Sequence, residues 1–325
     1  MTEPNSKLPN LNTQTEEFIT LLEEADAPPL YKLTPQDARD FLNKLQNKHH
    51  KDIEADVSDT NLYLEPAGHL NVRVVRPKST KSNTEKLPAI LYIHGGGWVI
   101  GGIESYDMLI RKLAVCTNSV VIFPDYPLSP EAKYPTAVNL IYSLLEYIYD
   151  SPEQFNIDKN KIAIAGDSVG GNMATVTAMR AKNKKGPKIA CQVLFYPVTN
   201  ADMDTKSYDS FKDGPWLSHK AMEWFFDAYA DKKLRNDIYI SPLKAAEEDL
   251  EGLPPTLVVT AENDVLRDEG EAYARKLDSA GVEVTSIRMN GTIHDFMMIN
   301  ALSDTPAAKA ALGMACEFIK DAFSK

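Results

Sequence analysis

The chain has 325 residues, 43% of them hydrophobic and 25% charged, an ordinary balance for a globular protein that excludes global disorder. A formal net charge of −11 and a pI near 5.1 repel phosphate backbones and anionic membrane surfaces, so neither nucleic acid nor membrane is an expected partner. No apolar run approaches the ~20 residues that cross a bilayer, and the polar start, MTEPNSKLPNLNTQTEE, lacks the basic and apolar regions of a signal peptide. The cytoplasm is therefore the expected compartment.

The first ten residues read as frayed. Glu16 to Asp26 and Pro35 to Asn47 then read as two helices. Phe18, Ile19, Leu21 and Leu22 give the first an apolar side, and Phe41, Leu42 and Leu45 do so for the second. Thr34 caps the second, with Pro35 at its first helical position. Asn61 to Glu65 and Leu70 to Arg76 read as an antiparallel edge hairpin turning at Gly68. A polar loop, KSTKSNTEK, follows. Strand candidates then begin at Ala89, Val120, Lys161, Ile189, Thr256 and Glu283. Helix candidates alternate with them at 106–117, 135–149, 170–182, 268–279 and 306–323. That alternation predicts a mostly parallel sheet with helices on both faces, an α/β fold. Continuous apolar runs such as AILYIH and IAIAG suit central strands buried on both sides.

Nearly sixty residues (198–255) interrupt this rhythm, polar at first and then rich in aromatics. With the N-terminal helices they read as a cap over the carboxyl edge of the sheet, where open α/β folds bind ligands. The expected organisation is an N-terminal cap segment (1–56) and an α/β catalytic domain (57–325) with a cap insertion around 199–245. The three cysteines, Cys116, Cys191 and Cys316, are odd in number and widely spread, which predicts neither a disulfide framework nor a metal site. Cys116 and Cys191 are expected to be buried, inert thiols.

Residues 162–172 read IAIAGDSVGGN: an apolar strand, Gly166-Asp167-Ser168-Val169-Gly170, then a helix. This is G-x-S-x-G in the strand–turn–helix setting that lifts a serine hydroxyl out of a sheet. Bulk two residues either side would clash, hence the glycines. Ser168 is the candidate nucleophile. His94-Gly95-Gly96-Gly97-Trp98 follows another strand, without the G-K-S/T of a phosphate loop or a dinucleotide fingerprint. It reads as an oxyanion-binding loop, with donors at the backbone N–H groups of Gly96, Gly97 and Val169. His94 is expected to pin this loop.

A serine hydroxyl needs a base. Of six histidines, only His219 and His294 follow Ser168, as the order Ser–Asp/Glu–His requires. His219 falls in the cap beside Ser218, whereas His294 lies in a loop after the last strand, so His294 is the candidate base. Asp264 ends a strand and is the candidate acid. Asp268 and Glu269 fit the first turn of the next helix, where carboxylates complement the dipole.

HGGGW at 94–98, DYPLSPE at 125–131, GDSVGG at 166–171, NDVLRDEG at 263–270 and the His294–Phe296 stretch occur together and in order. On these motifs the chain resembles the hormone-sensitive-lipase family of carboxylesterases across most of its length. The resemblance implies an α/β-hydrolase fold with an eight-stranded sheet, a helical cap, no cofactor, and hydrolysis of carboxylic esters of short to medium acyl chain. Four positions depart from the family pattern. Val169 stands for Ala and narrows the pocket if it faces it. Pro127 stands for Arg, removing an expected ion pair. Val265 stands for Pro after the acid. Asp295 stands for Gly after the base, where it either shifts the base's titration or faces solvent.

Trp98, Tyr208, Phe211 and Trp216 are the candidate substrate-binding residues, though cap aromatics equally suit the cap's own packing. A small-molecule ester is the expected substrate, no metal is expected, and a homodimer is left open. An amidase or deacetylase on the same fold, or a non-catalytic small-molecule-binding relative, are the competing readings.

Overall fold

A computed structural model describes residues 10–47, 53–78 and 86–325. Nine of the ten residues expected to be frayed, most of the polar loop before residue 86, and His49 and His50 lie outside the described residues. Helices α1 (Thr13–Glu24) and α2 (Pro35–Asn47) come first. The hairpin β1 (Ala55–Leu64) and β2 (Gly68–Pro77) follows, then β3 (Leu87–Ile93), α3 (Ile103–Thr117), β4 (Val120–Asp125) and α4 (Thr136–Asp150). Next are β5 (Ile157–Asp167), α5 (Val169–Asn183), β6 (Cys191–Phe195), and three helices, α6 (Lys206–Ser210), α7 (His219–Tyr229) and α8 (Glu247–Leu250). The chain closes with β7 (Thr256–Asn263), α9 (Arg267–Ser279), β8 (Val284–Ile293) and α10 (Pro306–Ser324).

The eight strands form one sheet in the order β1-β2-β4-β3-β5-β6-β7-β8. β2 runs antiparallel to both β1 and β4, and every other pairing is parallel. The reason is legible in the strands. Ala89 to Ile93, Ile162 to Ala165 and Val193 to Phe195 have no exposed surface, because helices cover both faces. β1 lies at the edge and is largely exposed, with only Leu62 and Leu64 buried. Thr34 caps α2 as expected, its Oγ1 accepting the Asp37 N–H at 3.1 Å.

The two leading helices are tied to the sheet's loops by polar contacts. Arg39 on α2 donates to the carbonyls of Val99 (2.8 Å) and Ser129 (3.0 Å) and pairs with Glu131 (2.7 Å). The segment in which Pro127 stands for Arg thus keeps an ion pair, supplied from another element. Gln46 Nε2 donates to the Ser105 and Met298 carbonyls, both at 2.7 Å. Asn12 donates through N and Nδ2 to the Gly291 carbonyl, and Asn263 Nδ2 bridges the carbonyls of Asn10 and Thr292.

The cysteine expectation needs correction. Cys116 on α3 and Cys316 on α10 form a disulfide across 200 residues of sequence. Spacing could not reveal it, because the two helices meet only after the sheet has brought their strands together. Cys191 is a free, buried thiol that burial pushes up to about 12.

Candidate active site

β5 ends at Asp167 and α5 begins at Val169, leaving Ser168 alone to make the turn. Its φ of 55° and ψ of −121° lie outside the regions a side chain favours. The Phe195 carbonyl accepts its N–H at 2.9 Å, and its own carbonyl accepts from Val198 at 3.1 Å. A Cβ at Gly170 would collide with the Ile93 and His94 carbonyls, and one at Gly166 with Gly170 itself. Glycine at both places lets β5, α5 and β3 approach closely enough to hold the strained serine.

Three distant loops meet at this turn. Ser168 Oγ lies 2.9 Å from His294 Nε2, and His294 Nδ1 lies 2.7 Å from Asp264 Oδ2. Asp264 Oδ1 accepts the Leu266 N–H at 2.9 Å, so both oxygens are engaged. All three residues are at most 4% exposed. Burial alone would hold the imidazole neutral, but the carboxylates of Asp264 and Asp295 outweigh it and carry His294 up to about 9. An imidazole so placed can accept the serine proton, and the pair beside it favours the imidazolium that results.

Asp295, unresolved between two roles on sequence grounds, faces the His294 imidazole. Its Oδ1 is 3.3 Å from His294 Nε2, and its Oδ2 accepts Trp216 Nε1–H at 2.8 Å. Burial raises its own titration, and the neighbouring His294 draws it back. Tyr196 packs edge-on to the His294 ring at 4.8 Å, a neighbour no motif announced.

The glycine loop after β3 lies alongside. Gly97 has a φ of 61°, and a Cβ there would enter the Phe225 ring. The Gly95 N–H donates to Asp167 Oδ1 at 3.1 Å, and Asp167 also accepts the hydroxyls of Tyr92 (2.8 Å) and Tyr106 (2.7 Å). Burial pushes this carboxyl up to about 7. His94 stacks on Tyr126 at 4.1 Å, and its Nδ1 donates to the Gly95 carbonyl at 2.8 Å. Burial drops its titration to about 3, leaving it neutral. It tethers the loop, as expected of it.

The α/β-hydrolase fold model matches residues 90–298, which carry both glycine motifs, Ser168, Asp264 and His294. The chain belongs to the α/β-hydrolase family. It is 42% identical over 96% of its length to a protein of Acanthamoeba polyphaga mimivirus named as an α/β hydrolase, covering 88% of it. It is 35% identical to the carboxylesterase NlhH of Mycobacterium tuberculosis, over 77% of this chain and 78% of that one. A thermostable esterase from Pseudomonas putida has a crystal structure that superposes with a TM-score of 0.94 at 43% identity, over 98% of this chain and 99% of that one.

In this hydrolase, Ser168, His294, Asp295, Gly96 and Gly97 line a narrow cavity with Leu30, Leu42, Ile100, Trp216, Leu217, Met222, Phe225 and Met298. It leaves only about 20 Å³, room for roughly a single water. A larger groove of about 800 Å³ lies between α1, the segment after it and residues 210–220; it shares Leu30 and Trp216 with the cavity and includes Phe211. Trp98 and Tyr208 line neither. Trp98 stacks flat on Tyr229 at 3.9 Å, and Tyr208 is fully buried against His219. Val169 is fully buried and also lines neither, so its branched side chain does not narrow the cavity. His219 opens α7 behind Ser218, whose Oγ caps the helix. Asp268 and Glu269 stand in the first turn of α9, but Glu269 is fully buried and accepts the N–H groups of Thr199 and Asn200. Among the described residues no cluster of His, Cys, Asp and Glu could hold a metal ion, and no helix is long and apolar enough to cross a membrane.

Proposed function

We propose that this hydrolase cleaves carboxylic esters with Ser168 as nucleophile, His294 as general base and acid, and Asp264 as the group that orients the imidazole. The observation that carries it is the continuous hydrogen-bond chain from Ser168 Oγ through His294 to Asp264, at 2.9 and 2.7 Å, anchored in a strained turn. Ser168 Oγ bonds to the ester carbon as its proton passes to His294 Nε2. The carbonyl oxygen gains the electron pair and is held by the N–H groups of Gly96, Gly97 and Val169. The C–O bond to the alcohol then breaks, and His294 returns the proton to the leaving oxygen. Water repeats the sequence on the acyl-enzyme and releases the acid. Relatives named as carboxylesterase, arylesterase and esterase support this reading.

The N-terminal helices and the segment around 199–245 act as the cap, since both contribute cavity walls through Leu30, Leu42, Trp216, Met222 and Phe225. The confined space at Ser168 disfavours long acyl chains, and the adjoining groove is the space large enough to take the bulkier part of a short- to medium-chain ester. Matched p-nitrophenyl esters and anilides of increasing acyl length test the reading. Ester turnover that peaks below about eight carbons and far exceeds anilide turnover is expected. Anilides hydrolysed as fast as esters would favour the amidase reading, and turnover rising steadily to C16 would remove the chain-length assignment.

A further inference from the structure

The cavity around Ser168 is walled mainly by hydrocarbon and aromatic groups, and three carboxylates stand close to Ser168 and His294, which line it. Asp264 has both oxygens engaged, by His294 and by the Leu266 N–H. Asp167 is tied by Tyr92, Tyr106 and Gly95. Asp295 differs. One oxygen is held by Trp216, while the other has no hydrogen-bond donor beyond the base it faces at 3.3 Å. Asp295 is the carboxylate that lines the cavity itself, with 16% of its side chain exposed.

Its position relative to the reacting bond follows from proton transfer. His294 Nε2 must deliver a proton to the leaving oxygen, so that oxygen comes within about 3 Å of Nε2. Atoms attached to the scissile ester then lie within a few ångströms of Asp295 Oδ1. The backbone reinforces the point. Asp295 has a φ of 64° and Trp216 a φ of 67°, so both partners of this bond occupy the left-handed region that glycine prefers. A residue other than glycine is held there by its side-chain contacts.

We propose that Asp295 selects substrates by charge: fixed beside the reacting bond by the Trp216 indole, it turns away esters bearing an anionic group next to that bond and favours cationic or hydrogen-bond-donating ones. This rests on the ester-hydrolase reading above. Unit charges some 6–8 Å apart in such a site interact strongly enough to change kcat/KM by about tenfold.

Two isosteric pairs of acetate esters test it at a single pH, so that any change in the base cancels within each pair. The first pair is acetoxyacetate, an anion, and acetoxyacetamide. The second is acetylcholine, a cation, and 3,3-dimethylbutyl acetate. The protein should prefer the neutral member of the first pair and the cation of the second. Asp295→Asn should raise the anion-to-neutral ratio about tenfold and lower the cation-to-neutral ratio. Asp295→Gly, which removes the charge and relieves the backbone, should do the same, so the test survives if one variant fails to fold. Opposite movement of the two ratios is something a structural role would not produce. Ratios that stay put or move together would overturn the proposal while leaving ester hydrolysis standing. Failure of the neutral esters to turn over, or their undiminished turnover by Ser168→Ala, would instead overturn the ester-hydrolase reading.

Discussion

His294 sits between two carboxylates, and its titration sets where the enzyme works. Only the neutral imidazole can take the serine proton, so kcat/KM for a neutral ester should rise with pH along a limb centred above the ordinary imidazole value near 6.5, toward about 9. Asp295→Asn removes one of the two charges that hold the proton on, so the limb should move to lower pH; a pH–rate profile checks this, and an unmoved limb would remove Asp295 from the account of the base. The three residues that the structure brings together, Ser168, His294 and Asp264, were all singled out by G-x-S-x-G, chain order and strand ends. The sequence left Asp295 open between perturbing His294 and facing solvent, because a residue that departs from a pattern carries no motif of its own. Its partner Trp216 comes from a distant segment that only the fold brings near. Trp98 misled for the opposite reason: it adjoins the glycine loop in sequence, yet its ring fills a stack with Tyr229.

At the scale of elements, the strands announced themselves where burial is continuous and blurred where it is not. The buried runs of β3 (Ala89 to Ile93) and β5 (Ile162 to Ala165) are apolar without interruption, whereas β1 begins at Ala55, ahead of the expected start at Asn61, since an exposed edge strand shows little pattern. The disulfide joins α3 to α10, the helices that follow the glycine loop and the His294 loop. Cys116→Ser should lower stability by about 2–4 kcal/mol, read as a fall in melting temperature under oxidising conditions that vanishes when the parent protein is reduced. Glu269, at the start of α9, gives a second prediction. Burial raises its carboxyl to about 8, so the folded protein keeps a proton that the unfolded chain releases above about 4.5. Unfolding then releases a proton across that interval, and Glu269's contribution to stability falls as pH rises through it. Glu269→Gln keeps an oxygen for the Thr199 and Asn200 N–H groups and should flatten that decline. An unchanged slope of melting temperature against pH between 5 and 8 would contradict it.

The whole molecule works by gathering loops from one edge of the sheet, after β3, β5, β7 and β8, under a roof built from the N-terminal helices and the segment around 199–245. The α/β alternation was readable from periodicity, and the long break in it at 198–255 marked the segment proposed as part of the cap. The cavity's dimensions were not, since they depend on how Leu30, Trp216 and Phe225 interlock across three segments. Trp216 stands between the confined cavity and the larger groove. Trp216→Ala should join them and shift the preferred acyl chain upward by about two carbons or more, measured on a p-nitrophenyl ester series; an unaltered preference would mean that Trp216 does not limit the acyl chain. The central claim is that one hydroxyl does the chemistry. Treating the protein with a p-nitrophenyl phosphonate and mapping the adduct by mass spectrometry tests this directly. One equivalent of label is expected, on Ser168, with ester hydrolysis lost in step and reduced at least about 10⁴-fold in Ser168→Ala. Label on another residue, or a Ser168→Ala protein that hydrolyses esters at the parent rate, would contradict it.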